Sequence, residues 1–227
     1  MLILAIDTAL AACAAAVFDT DGAKILASEI LPMARGHAEA LMPLVARVMD
    51  RADIAFSELD RIAVTTGPGS FTGLRVGISA ARGIALASGR PAVGVSTLAA
   101  YAAPHIANEG GDSVVAAIDA RHGHVYLQVL AGAGRTLVGP QIASVDEAVR
   151  AATAAPARLV GSGAALIAAA WPPDIAAPVL VAPEDAPGIA WVARLGAAAA
   201  NTDVAPTPLY LRAPDARPQD AARLPRR

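Results

Sequence analysis

Residues 65–83 of this 227-residue chain, TTGPGSFTGLRVGISAARG, decide its fold. A short apolar strand over 61–66 leads into a glycine-rich loop, and a helix over 74–88 follows, closed by Gly89 and Pro91. The strand at 92–96 then completes a parallel pair through a right-handed crossover. This segment therefore predicts an α/β fold.

Outward from this segment, alternating apolar residues predict strands at 1–7, 13–19 and 24–30. A helix follows around residues 38–49, with Pro43 marking either its start or a bend. The resulting order is βββαβαβ, which implies a sheet that is antiparallel at first and then parallel.

The second half repeats this pattern in abbreviated form. Strands are expected at 114–119, 124–130, 135–138, 158–160 and 179–181. Ser144 and Glu147 form a capping box at the start of one helix, and further helices are expected at 164–170 and 189–200. From Ala213 onward no apolar period remains, so we expect a mobile tail.

Composition narrows the function classes. Hydrophobic residues make up 55% of the chain and aromatics 4%, and the net charge is −2. So small a charge gives no long-range field for collecting nucleic acid, so any RNA should be gripped mainly by another subunit. Cys13 is the single cysteine, and no apolar run reaches 18 residues. We expect a cytoplasmic protein without a membrane span.

The glycine loop has two interpretations. A loop between a strand and a helix start favours an anion, which makes Gly67, Gly69 and Ser70 candidate phosphate-binding residues. Asp7 is a fourth candidate, because a carboxylate at the end of the first strand could hold a magnesium ion beside the phosphate. The loop lacks the Walker lysine, the dinucleotide spacing and a Gly-x-Ser-x-Gly elbow. The alternative is that its glycines only allow a tight turn and close packing. Asp119 ends the strand that corresponds to the one ended by Asp7, and two such carboxylates facing one cleft would suit nucleotide phosphates. The alternative is that Asp7 only accepts hydrogen bonds in a turn or at a helix cap.

The helix after the loop carries a ridge of small residues at i, i+4 spacing: Gly73, Gly77, Ala81 and Ala85. Glycine inside a helix costs up to about 1 kcal/mol relative to alanine, so the ridge predicts close approach of a neighbour. That neighbour belongs either to this chain or to a partner, and we favour a partner.

No catalytic or metal-binding set is evident. His122 and His124 are near each other in sequence, but no third ligand accompanies them. Serine, histidine and aspartate form no recognisable triad.

The run at 65–102, with LAIDT at 4–8, DARHGHVY at 119–126 and PLYLR at 208–212, closely resembles the bacterial TsaB family, also called YeaZ. The resemblance implies a two-domain fold of the actin-like ATPase and sugar kinase superfamily, with an abbreviated second domain. The domains would be 1–103 and 104–212, the last helix packing back on the first domain, and a tail at 213–227.

The same resemblance implies a non-catalytic subunit that scaffolds and activates the transferase TsaD and works with TsaE. Together they make threonylcarbamoyladenosine next to the anticodon of tRNAs that read codons beginning with A. The implied partners are TsaD directly, TsaE within the complex, and tRNA indirectly; a homodimer is expected when the chain is alone. No cofactor is expected on the chain itself, and ATP or ADP with magnesium would belong to the assembled complex.

TsaD is similar to this chain through the glycine loop and the following helix and strand. It carries two metal-binding histidines where this sequence has Thr97 and Tyr101, so the metal should be absent here. The alternative function is a stand-alone ATP-dependent or metal-dependent enzyme of the same superfamily.

The resemblance also predicts a partner surface on the helices at 38–49 and 74–88. Its residues would be Leu41, Val45, Phe71, Gly73, Leu74, Arg75, Gly77, Ile78, Ala81 and Arg82. On this hypothesis a leucine at position 77 would abolish TsaD binding and leave the fold intact.

Overall fold

The computed structural model describes residues 1–106, 112–131, 134–200 and 204–212. The elements of the first half are β1 (Leu2–Asp7), β2 (Ala12–Asp19), β3 (Lys24–Pro32), α1 (His37–Ala52), β4 (Arg61–Gly67), α2 (Phe71–Ser88), β5 (Ala92–Ser96) and α3 (Thr97–Ile106). Those of the second half are β6 (Ser113–Asp119), β7 (His124–Leu130), β8 (Thr136–Ser144), α4 (Val145–Ala152), β9 (Ala157–Val160), α5 (Ala164–Ala169), β10 (Leu180–Ala182) and α6 (Ile189–Ala198). The predicted tail at 213–227 lies outside the described residues.

The two halves have the same topology. The first sheet has the order β3-β2-β1-β4-β5, and the second has β10-β9-β6-β7-β8, which is the same order read from its other edge. In each half the first three strands pair antiparallel and the last two join in parallel. The predicted mixed sheet, its abbreviated repeat and the α/β fold class are confirmed.

Both faces of the first sheet are covered, as the alternation along β1 requires. Leu4 and Ile6 pack into a core with α1 and α2, whereas Ile3 and Ala5 face a second core that includes residues of α6. The sheet is therefore a central layer between helices, and β1 and β4 are buried almost completely.

Helix α6 comes from the far end of the chain and lies on the first sheet. Gly196 meets β4 so closely that an added Cβ would be 2.2 Å from the Ala63 Cβ. The buried Arg61 donates from Nη1 to the carbonyl oxygens of Gly196, Ala197 and Ala199, at 2.7, 3.1 and 2.8 Å. These are carbonyls that the end of a helix leaves without an internal partner, so Arg61 caps α6.

Helix α3 joins the two halves, and the sequence reasoning did not find it. Leu98, Tyr101 and Ala102 pack against the second sheet. The helix is apolar nearly all round and follows β5 directly, so neither a polar face nor a linker marks it. The boundary predicted between residues 103 and 104 falls inside α3, and the division into domains stays a prediction.

Other elements also differ from their predicted bounds; α2, for example, begins at Phe71 and not at residue 74. Helix α1 starts at His37 and runs through Pro43, whose ring lies on the exposed side. Strand β8 continues through Pro140 to Ser144, which is possible because β8 is an edge strand and its register with β7 shifts at Pro140. The capping box of Ser144 and Glu147 and the Gly89 end of α2 are confirmed.

None of the helices in the described part of the chain combines the length and the apolar character needed to cross a bilayer.

Candidate functional site

The glycine loop packs against the turn between β1 and β2. The Ser70 N–H donates to the Ala9 carbonyl oxygen at 2.7 Å, and a Cβ on Gly69 would be 2.4 Å from that same oxygen. Ser70 is also the N-cap of α2, because its hydroxyl accepts the Gly73 N–H at 3.3 Å. The loop therefore has the geometry of the close-packing interpretation.

The glycines of the ridge on α2 face Thr8, the residue that directly follows β1 in the same chain. A Cβ added at Gly73 would be 2.1 Å from the Thr8 carbonyl oxygen, and a Cβ added at Gly77 would be 2.4 Å from Thr8 Oγ1. Thr8 Oγ1 also donates to the Gly73 carbonyl at 2.7 Å, and Ala81 is fully buried. The prediction that this ridge admits a partner is wrong, since its neighbour at Gly73 and Gly77 is Thr8 of the same chain.

Most of the other predicted partner-surface residues are also internal. Leu41 and Val45 of α1, and Leu74 and Ile78 of α2, are buried in the core between these helices and the first sheet. They belong to the apolar stripes that attach each helix to the sheet, so they cannot form a surface. Of the ten predicted residues, those that are exposed are Phe71, Arg75 and Arg82.

Asp7 is enclosed at the end of β1. Its Oδ1 accepts from Thr65 Oγ1 at 2.5 Å and from the Ala9 N–H at 3.0 Å, while Oδ2 has no hydrogen-bond partner among the described residues. Burial raises the pKa of the Asp7 carboxyl above its ordinary value, and the two hydrogen bonds oppose that shift. Since the side chain has no exposed surface, Asp7 does not reach the cleft.

A cavity of about 480 Å³ opens between the two halves. Ser70, His37, Asp119 and Arg121 are among the residues that line it, but Asp7 is not. The carboxylates of Asp7 and Asp119 therefore do not face one cleft, and Asp7 instead accepts hydrogen bonds at the turn after β1. Because Asp7 is enclosed and the Ser70 N–H is already bound to a carbonyl, these residues do not fit a nucleotide phosphate with its magnesium.

Thr97 and Tyr101 stand one helical turn apart on α3, and both are buried. The Tyr101 hydroxyl donates to the Glu184 carbonyl at 2.9 Å, and its ring lies against Gly161. Burial raises the pKa of Tyr101, so the phenol remains a neutral donor. Tyr101 thus ties α3 to the loops that follow β9 and β10.

His122 and His124 are exposed, and His124 Nδ1 lies 2.8 Å from the His122 carbonyl. Within residues 1–106, 112–131, 134–200 and 204–212, no group of three or more His, Cys, Asp or Glu is placed to hold a metal ion.

A groove along the outside of α1 and α2 was missed by the sequence reasoning. Its volume is about 540 Å³, and it is lined by Met42, Phe56, Ser57, Ala80, Gly83, Ile84, Ala87 and Ser88. Most of these side chains are apolar, and Met42 and Phe56 are exposed. We call this set the outer groove. The sequence contains a weak signal for this groove, because Met42 and Gly83 lie outside the apolar stripes that α1 and α2 bury.

The C-terminal segment 204–212 returns to the glycine loop. The Leu209 N–H donates to the Thr66 carbonyl at 2.7 Å, and the Tyr210 ring stacks on Phe71 with centroids 5.1 Å apart. Arg75 lies over the Phe71 ring at 3.9 Å and donates from Nε to the Tyr210 hydroxyl at 3.1 Å. The segment PLYLR therefore belongs to the same site as the loop.

The duplicated sheet with helices on both faces of its first half agrees with the fold that the resemblance to the TsaB family implies. The sequence profile of the family described as TsaD, tRNA N6-adenosine threonylcarbamoyltransferase, matches residues 24–215. The solved structure of YeaZ from Pseudomonas aeruginosa matches with a TM-score of 0.77 and 30% identity, over 92% of this chain and 99% of that one.

Two curated relatives carry the name tRNA threonylcarbamoyladenosine biosynthesis protein TsaB. The one from Haemophilus influenzae is 31% identical over 72% of this chain and 72% of its own length. The one from Escherichia coli is 41% identical over 56% of this chain, and the match spans 53% of that protein. The chain belongs to the TsaB family, also called YeaZ.

The contact between α2 and β1 predicts opposite effects of substitution at two glycines of one helix. Gly77→Leu should lower the free energy of unfolding by roughly 3 kcal/mol or more, because the side chain would overlap Thr8. Gly83→Ala should raise it by about 0.5–1 kcal/mol, because an added Cβ there meets nothing within 4 Å. Urea denaturation measures both, and equal effects at the two positions would contradict the assignment of inner and outer faces.

The enclosed Asp7 carboxyl predicts a pH-dependent difference between the wild type and Asp7→Asn. A carboxyl whose pKa is higher in the folded state than in the unfolded state favours folding when protonated, so its contribution to stability is lost as pH rises through that interval. The free energy of unfolding of Asp7→Asn relative to wild type should therefore increase from pH 3.8 upward until the folded-state pKa is passed. Denaturation across a pH series tests this, and a constant difference would refute it.

Proposed function

We propose that this chain is a non-catalytic subunit of the machinery that makes threonylcarbamoyladenosine in tRNA. In this role it binds the transferase TsaD directly, works with TsaE, and holds TsaD in an active assembly. The names of the curated TsaB relatives support the process. That TsaD carries out the transfer while this chain supports it without catalysis is our inference.

The observation that carries this proposal is what occupies positions 97 and 101. A threonine hydroxyl and a phenol replace the two imidazoles that a TsaD-like metal site would need. Tyr101 is committed to the Glu184 carbonyl, and both side chains are buried. The helix that would present a metal in the transferase joins the two halves of this chain instead.

The outer groove supports a role in binding a protein partner. Leu86 lies beside it and is 86% exposed, and a second hollow of about 570 Å³ continues from Gly83 to Arg82 and Arg90. An exposed apolar surface of this kind, with cations at its edge, is typical of a protein–protein contact. We assign this surface, in place of the buried ridge, to TsaD.

Reconstitution tests the function. An assay with purified TsaD, TsaE, the enzyme that supplies threonylcarbamoyl adenylate, and unmodified tRNA should form threonylcarbamoyladenosine only when this chain is present. Undiminished modification without the chain would reject the proposal. Micromolar binding of ATP with magnesium by the chain alone, measured by calorimetry, would favour the stand-alone enzyme instead.

Charge substitutions test the surface. Met42→Glu and Leu86→Glu should each weaken TsaD binding by at least about 30-fold, because burying an uncompensated carboxylate costs roughly 2 kcal/mol or more. Leu166→Glu is the matched control for Met42→Glu, since Leu166 on α5 of the second half is exposed to a similar degree as Met42. Affinities from biolayer interferometry that do not distinguish the three variants would exclude the outer groove.

A further inference from the structure

A small pocket lies where the glycine loop, the turn after β6 and the C-terminal segment meet. Its volume is about 210 Å³, and the residues that line it are Pro68, Gly69, Phe71, Ala120, Arg121, His122, Tyr126, Leu209, Tyr210, Leu211 and Arg212. We call it the aromatic pocket. It is separate from the outer groove, with which it shares no lining residue.

One wall of the aromatic pocket is a preordered stack. The rings of Phe71 and Tyr210 are 30° from parallel, and Arg75 both covers Phe71 and donates to the Tyr210 hydroxyl. Despite these contacts, Phe71 is 40% exposed and Tyr210 is 42% exposed. Ring surface that is fixed in place and still exposed can accept a flat ligand with little loss of side-chain entropy.

The other side of the pocket carries two arginines. Arg121 and Arg212 line it beside His122 and several apolar residues, and neither an aspartate nor a glutamate is among the lining residues. Arg121 and His122 are held in the left-handed region, with φ of 66° and 53°, and the Arg121 N–H donates to Asp119 Oδ1 at 2.8 Å. Arg212 donates from Nη1 to the Ala120 carbonyl at 3.2 Å, which attaches the C-terminal segment to this turn. Arg121 and Arg212 thus line the same pocket as the exposed rings.

This convergence is unusual in a chain so poor in aromatic residues. The sequence has three Phe, three Tyr and two Trp, and Phe71, Tyr126 and Tyr210 all line this one pocket. Exposed rings next to arginine are the combination that binds unstacked bases of single-stranded nucleic acid, with the rings stacking on the base and the cations pairing with phosphate. The low net charge fits a local contact within a larger assembly better than an independent RNA-binding protein.

We propose that the aromatic pocket binds one unpaired nucleotide of RNA, its base on Phe71 and Tyr210 and its phosphate beside Arg121. The proposal rests on the proposed role in tRNA modification and changes one part of it, because the chain would contact RNA directly.

The test uses the full chain and a fluorescent RNA hairpin whose single-stranded loop contains 4-thiouridine. Phe71→Ala and Tyr210→Ala should weaken hairpin binding roughly 5- to 150-fold by anisotropy, the range expected for loss of one base–aromatic stack. Tyr210→Phe, which keeps the ring, should bind nearly as well as the wild type. Arg121→Gln should reduce the slope of log affinity against log salt by about 0.7, as for one lost phosphate contact to a single strand.

Leu137→Ala is the control for Phe71→Ala, because Leu137 is a similarly exposed apolar residue outside both the aromatic pocket and the outer groove, and it should leave hairpin affinity unchanged. Ultraviolet cross-links should map to Phe71 or Tyr210. Cross-links elsewhere, or hairpin affinity that Phe71→Ala does not alter, would overturn the proposal. Equal competition by fully paired RNA would overturn it too, because it would indicate phosphate attraction alone.

Two further outcomes separate this inference from the proposed function. If Phe71→Ala weakens capture of TsaD and leaves RNA affinity unchanged, the pocket is a protein contact and the inference is wrong. If the wild type fails to capture TsaD but shows the expected RNA effects, the RNA site is supported and the proposed partnership is rejected.

Discussion

Helix α2 and the end of strand β1 approach each other so closely that only hydrogen atoms fit between them. Gly73 and Gly77 provide this space, and Thr8 fills it with its carbonyl and its hydroxyl. A helix whose backbone is in contact with Thr8 cannot rotate or slide. This contact therefore fixes the start of α2 together with the glycine loop, whose Ser70 N–H donates to the Ala9 carbonyl. Both surfaces that we assign to partners are built on this helix.

Because Gly73 and Gly77 face the first sheet, the opposite side of α2 forms the outer surface. Ala80, Gly83 and Ala87 line the outer groove there, so small side chains occur on both faces of one helix for different reasons. The inner ones permit close packing within the chain. The outer ones leave a shallow apolar depression between α1 and α2.

The sheets could be predicted from sequence because strand residues alternate and the turns between them carry recognisable residues. The duplicated order of βββαβαβ followed from the pattern alone. Helix α3 could not be recognised, since a helix that is buried on nearly every side shows no helical period in its polarity.

The candidate surfaces were less predictable than the fold. The ridge of Gly73 and Gly77 correctly indicated a close neighbour, but spacing cannot distinguish a strand of the same chain from a partner. Leu41 and Val45 were assigned to a partner although an apolar stripe is first of all what holds a helix to its own sheet. The aromatic pocket joins Phe71 to Tyr210, and no local pattern relates residues so far apart in sequence.

The Arg61 cap on helix α6 has a consequence for the order in which the molecule is built. One face of the first sheet is covered by residues 189–198, and the guanidinium that fixes them is in β4. Chain synthesis runs from the N-terminus, so this sheet leaves the ribosome with one apolar face open until nearly all of the second half has been translated. The first half is thus the last to be finished, and the nascent chain exposes Ala63 and Val93 during that time.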